Sequence, residues 1–139
     1  MTNESKIIIQ AQVAAPVEKV WECYTKPEHI VHWNFASADW HSPRAENDLC
    51  IGGVFKYRME ARDGGEGFDF TGTYTHLTPH KHIAYTMDDG RSVRVDFNDH
   101  ASGVTVVIAF DPESQNTIEL QRQGWQAILD NFKKYVESF

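Results

Sequence analysis

The sequence predicts an α+β domain: a six-stranded antiparallel sheet, one long C-terminal helix, and two short helices between the first and second strands. Three observations predict it. Apolar residues recur with a period of two through residues 55–110, interrupted by glycine-bearing turns. A proline-led helical segment follows the first short strand. The chain closes on an apolar stripe at helical spacing. Runs of neighbouring strands with few crossovers make an antiparallel sheet.

Each element follows in order. Ile7 and Ile9 through Val13 read as the first strand, and Ala15-Pro16 starts a helix, because proline at a first helical position has no N–H to leave unpaired. Val17, Val20, Trp21 and Tyr24 continue at helical spacing. Thr25-Lys26-Pro27-Glu28 matches a capping box and predicts a second short helix carrying Ile30, Val31 and Trp33. Residues 34–49 show no sustained period and read as a long aromatic loop with Phe35, Trp40 and His41, a candidate lid.

From Phe55 the alternation is regular. Phe55, Tyr57, Met59 and Ala61 share one face and Lys56, Arg58 and Glu60 the other. Asp63-Gly64-Gly65-Glu66-Gly67 turns the chain into Phe68, Phe70, Gly72 and Tyr74. Pro79 ends that strand, and Ile83, Tyr85 and Met87 begin the next. Asp88-Asp89-Gly90 is a hairpin signal before Val93, Val95 and Phe97. A second turn at 99–103 leads into Val104–Phe110. Asn116, with Glu119 three residues on, is the expected cap of the last helix, whose stripe is Ile118, Trp125, Leu129, Phe132 and Val136.

Composition narrows the function classes. The 139 residues are 41% hydrophobic, a proportion that supports a full core in a single domain, residues 1–139. Thirteen Lys and Arg against 20 Asp and Glu give a net charge of −7, which repels phosphate backbones and anionic leaflets and argues against nucleic-acid partners. No apolar run approaches the roughly 18 residues of a membrane span, so membrane insertion is not expected. The first residues lack the basic flank of a signal peptide, and two cysteines are too few for a disulfide framework. A reduced, cytoplasmic protein is the expectation.

The order and spacing of these residues resemble a known family. Ala15-Pro16 with Val20-Trp21, then Pro27, Trp33, Gly52-Gly53-Val54-Phe55, Gly72, Tyr85 and Gly124-Trp125 are similar to the START-like, helix-grip superfamily. Within it they resemble single-domain proteins related to the C-terminal domain of the activator of the heat-shock protein 90 ATPase. The resemblance runs from about Ile7 to Val136. It implies a curved sheet wrapped around the C-terminal helix, with a cavity between them that often holds lipids or other apolar molecules. The N-terminal domain that does much of the chaperone binding in the eukaryotic activators is not expected within these 139 residues.

The candidate site is the inward stripe. Phe55, Tyr57, Phe68, Phe70, Tyr74, Tyr85, Phe97, Trp125 and Phe132 are expected to face one interior with Met59 and Met87, joined by Leu129, Trp33 and Trp40. Such a stripe is either a pocket wall or a filled core. His76 continues the inward phase of Tyr74 if no bulge intervenes; a rim position is expected for it rather than a catalytic one. Tyr57, Tyr85, His76 or Asn34 would orient a ligand. Asp69, Arg94 and Asp96 should point outward as cross-strand partners.

Other chemistry finds no support. His80/His82 and His29/His32 lack a carboxylate or cysteine to complete a metal site. Neither Cys23 nor Cys50 has the surroundings of a nucleophile, and the glycine-rich turn lies between strands, away from any helix N-terminus. No cofactor, metal or catalytic residue is therefore expected. The leading reading is non-enzymatic binding of a small apolar or amphipathic, lipid-like molecule. A chaperone-binding module, as in a stress response, and a cyclase or hydrolase using the same cavity are the rivals, and a homodimer is left open.

Overall fold

A computed structural model describes residues 6–138. Strand β1 (Ile7–Val13) alternates buried and exposed residues and pairs antiparallel with β7 (Gly103–Phe110), from Ile7 opposite Phe110 to Val13 opposite Val104. Between β1 and the rest of the sheet lie α1 (Val17–Thr25) and the single turn α2 (Pro27–Ile30). The remaining strands are β2 (Trp40–Asn47), β3 (Val54–Ala61), β4 (Gly67–Thr78), β5 (His82–Met87) and β6 (Ser92–His100). They form one sheet in the order β1-β7-β6-β5-β4-β3-β2, every neighbour pair antiparallel. The sheet curls into a half-barrel around α3 (Ile118–Glu137), the α+β helix-grip arrangement.

The sheet has seven strands, one more than the sequence predicts, because β2 lies inside the segment read as a loop. Its sequence Trp-His-Ser-Pro-Arg-Ala-Glu-Asn has no period of two, and its register slips between His41 and Arg44. Pro43 cannot donate to a ladder, and β2 is an edge strand, where that loss is tolerated. Residues 40–47 are thus sheet edge, not lid.

Two caps also differ from expectation. Thr25 is the last residue of α1, its Oγ1 donating back to the Trp21 carbonyl at 2.8 Å, and the N-cap of α2 falls on Lys26, which makes no side-chain cap bond. In α3 the cap is Thr117, whose Oγ1 accepts from Leu120 N at 3.1 Å. Asn116 instead donates from both its backbone N–H and its Nδ2 to Glu113.

What positions the site is how α3 is held. Gln126 Nε2 donates to Gln10 O at 3.1 Å and Lys133 Nζ to Gln12 O at 2.6 Å, while Glu137 accepts from Ala14 N at 2.8 Å. These bonds fasten the helix along β1. Phe132 and Val136 are fully buried, as are Val13, Val104, Val106 and Phe110 of the strands. On the opposite flank, facing β3, β4 and β5, the helix and sheet diverge.

Candidate functional site: an aromatic cavity between sheet and helix

The divergence leaves a cavity of about 370 Å³. Register places the wall. Phe55 pairs with Gly72, Tyr57 with Phe70, Met59 with Phe68, Gly72 with Met87 and Tyr74 with Tyr85, so all of these point to the same concave face. Gly72 is the gap in that row. A Cβ there would come within 2.6 Å of the Phe55 ring and 3.0 Å of Tyr85 Cδ1, and its absence lets those rings meet edge to face at 4.8 Å. Opposite them, α3 contributes Trp125, Ile128, Leu129 and Phe132, and α1 and the chain after α2 contribute Tyr24, Trp33 and Asn34.

Of the residues singled out from the sequence, Trp33, Phe55, Tyr57, Met59, Phe68, Phe70, Tyr74, Tyr85, Met87, Trp125, Leu129 and Phe132 line this cavity. Phe68 does so while 47% exposed, at the rim. Three lie elsewhere. Trp40 sits half-buried on the edge strand, its ring 5.9 Å from that of Phe68. Phe97 is buried behind the wall, edge to face with Trp21 at 5.2 Å and with Tyr24 at 5.5 Å. His76 is exposed because the β4–β5 register shifts between Tyr74 and His76, and Leu77 opposite Ile83 takes the inward phase.

Lining residues that the sequence reading left out include Tyr24, Ile83, Ile108 and Ile128, together with Arg91, Glu113 and Gln121. Ile83 carries a visible signal, its alternation with Tyr85 and Met87. The last three come from loops and a helix start that only folding brings together. Gln121 locks that corner: its Oε1 accepts from Glu113 N, and its Nε2 donates to the carbonyls of Glu113 and Asn116.

The wall is mostly apolar and phenolic, with Arg91 and Glu113 as its charged residues. Burial pushes the phenols of Tyr24, Tyr57 and Tyr85 well above their ordinary range, and neighbouring tyrosines reinforce the shift. Burial likewise pushes Tyr74 up to about 12, against hydrogen bonds with Tyr57 and Asn47. Tyr74 donates to Asn47 Oδ1 at 2.6 Å. Asn34 is 6% exposed, and its Nδ2 is buried with no hydrogen-bond partner among the described residues. On the outer face of the sheet, Arg58 meets Asp69 across β3 and β4 at 3.6 Å and His82 meets Asp96 across β5 and β6 at 3.1 Å, whereas Arg94, expected as a cross-strand partner, pairs with Asp96 within β6 at 3.0 Å. No group of three or more His, Cys, Asp or Glu among the described residues could hold a metal ion. No described helix is long and apolar enough to cross a membrane.

Residues 14–137 match the family model described as activator of Hsp90 ATPase homolog 1-like protein. The chain belongs to that family. The AHSA1-like protein from Aeromonas hydrophila is 45% identical, with 96% of this chain and 92% of that one covered and a TM-score of 0.91. A Cytophaga hutchinsonii protein is 46% identical over 96% and 92% of the two chains, at a TM-score of 0.83. A Nitrosomonas europaea protein, 18% identical over 99% and 97%, shares the fold at a TM-score of 0.83. No curated protein matches the chain. In this AHSA1-like chain the family-like Gly72 and Trp125 both act on the cavity: one makes room for the Phe55–Tyr85 contact, the other forms part of the α3 wall.

Proposed function

We propose that this AHSA1-like protein binds a small apolar or amphipathic molecule between the sheet and α3 and does not transform it. The observation that carries the reading is unfilled space. Protein interiors close-pack, yet here about 370 Å³ bounded by aromatic rings is left beside an otherwise dense core. That volume lies in the range of small-molecule sites, about 300–1,000 Å³. Aromatic and methionine side chains would supply affinity through buried area, with a few polar groups to fix orientation. His76, the one titratable group that the sequence offered to an enzymatic reading, faces away from the cavity.

Native mass spectrometry of gently purified protein, set against the denatured mass, tests the reading. An added mass that leaves on denaturation is the expected result. A bare native mass, together with no chemical-shift response to 1-decanol, overturns it.

The family description suggests a second reading, contact with a chaperone ATPase. Its surface would have to be apolar and contiguous. Among the described residues, the large apolar side chains left exposed are Ile8, Ile51, Val54, Phe68, Ile118 and Leu120, distributed over β1, the β2–β3 turn, β3, β4 and α3. That distribution favours the cavity as the working site.

A further inference from the structure

We propose that the cavity selects an uncharged molecule bearing a hydrogen-bond acceptor, and that free carboxylates and amines are excluded from it. The proposal rests on the ligand-binding reading and specifies the chemistry of the ligand.

The argument is a matching of donors and charges. Asn34 Nδ2 is a buried donor with nothing to donate to, and an amide left so carries the full cost of its lost hydration. Among the described residues it is the one buried side-chain nitrogen or oxygen left without a partner. By contrast, Tyr74 and Asn47 satisfy one another, as Gln121 and the 113–116 turn do. What the cavity holds open is therefore donor capacity, which a carbonyl, ether or hydroxyl oxygen would satisfy.

Charge is not provided for. Two charged residues line the cavity, Arg91 and Glu113. Arg91 Nε is held by Asp89 Oδ2 at 2.8 Å. The Glu113 carboxylate already accepts from the backbone N–H groups of Gln115 and Asn116 and from Asn116 Nδ2. A carboxylate entering among the phenols would lose its hydration, and the one cation in the lining, Arg91, is already paired through Nε with Asp89; an ammonium would find the Glu113 carboxylate already accepting three hydrogen bonds. The net charge of −7 adds repulsion for anions at long range.

An isosteric pair of probes, 2-acetylnaphthalene and 2-naphthoate, isolates the charge at constant shape. Protein-observed NMR titration at pH 8 is expected to show the ketone binding about tenfold tighter or more. Naphthoate affinity should climb as pH falls toward the ordinary carboxyl range near about 4. Asn34→Leu should abolish most of the ketone's advantage, and Asn34→Asp should abolish ketone binding. An unchanged pattern of undisturbed amide shifts shows that each variant is folded. Arg94→Gln, on the outer face of the sheet, serves as the control and should leave the ratio unchanged. Naphthoate binding as tightly as the ketone, or a preference that survives Asn34→Leu in a folded protein, overturns the proposal while leaving the cavity a binding site. Neither probe binding, alongside a bare native mass, overturns the binding reading itself.

Discussion

The Trp125 indole and the Phe110 ring lie face to face, with centroids 3.9 Å apart and planes within 11°. Phe110 is fully buried at the end of β7, so this stack joins the Gln126–Gln10 bond in fixing the N-terminal half of α3 against the sheet. Phe70 then meets the indole edge to face at 6.1 Å from the cavity side. One side chain thus serves both as a clamp and as a wall.

Trp125→Ala should remove both roles. Because Trp125 is only half-buried, the expected loss lies at or below the lower end for buried Trp→Ala changes, about 2–3 kcal/mol. Urea denaturation followed by circular dichroism measures it. A loss below about 0.5 kcal/mol would mean that the stack contributes no more than an ordinary surface contact.

Gly72→Ala places a methyl group against Phe55 and Tyr85, two buried rings with nowhere to retreat except into the cavity. The expected outcome is a destabilisation of about 1–3 kcal/mol, as for other overpacked cores, together with a smaller ligand volume. Denaturation and probe titration on the same variant check both effects.

Gly124→Ala should act in the opposite sense. A Cβ at Gly124 meets nothing within 4 Å, and the residue lies inside α3, where glycine is the poorer helix former. Stability should rise by about 0.5–1 kcal/mol. Calorimetry would show this as a rise in Tm of about 2–4 °C.

The tyrosines set the alkaline limit. Burial raises Tyr24, Tyr57, Tyr74 and Tyr85, which stay protonated in the folded protein at pH values where the unfolded chain ionises near about 10. Their contribution is complete below that pH and is lost as pH rises through the folded values. Phenolate absorbance should therefore lag an ordinary tyrosine titration and then appear together with loss of secondary structure. A smooth titration of all five tyrosines near pH 10 in folded protein would contradict the buried cluster.

Much of this architecture is legible in the sequence because its physics is local. Alternation at Phe55–Ala61 or Val104–Phe110 reports a sheet with one buried face, and Gly90 adopts the positive φ of 93° that its hairpin turn requires. Strand β2 is illegible for an equally physical reason: an edge strand holding Pro43 and a register slip is kept in place by β3, not by its own pattern. The bulge that turns His76 outward depends on the partner strand, and no residue between Tyr74 and His76 announces it. As for the site, the aromatic stripe can be read, but whether it encloses space depends on where α3 is fastened. The fastening groups, Gln126, Lys133 and Glu137, look in sequence like any solvated helix face.

That fastening has a mechanical consequence. A helix hydrogen-bonded along one margin of a curled sheet resembles a door hung on β1, and a small tilt about that line would change the width of the far side most. The strand ladders need not break for the chamber to widen, because none of the hinge bonds crosses it. Such a tilt would work against the Trp125–Phe110 stack, the Asn131 bond to the Phe35 carbonyl at 2.6 Å and the Gln121 corner, which together act as the latch.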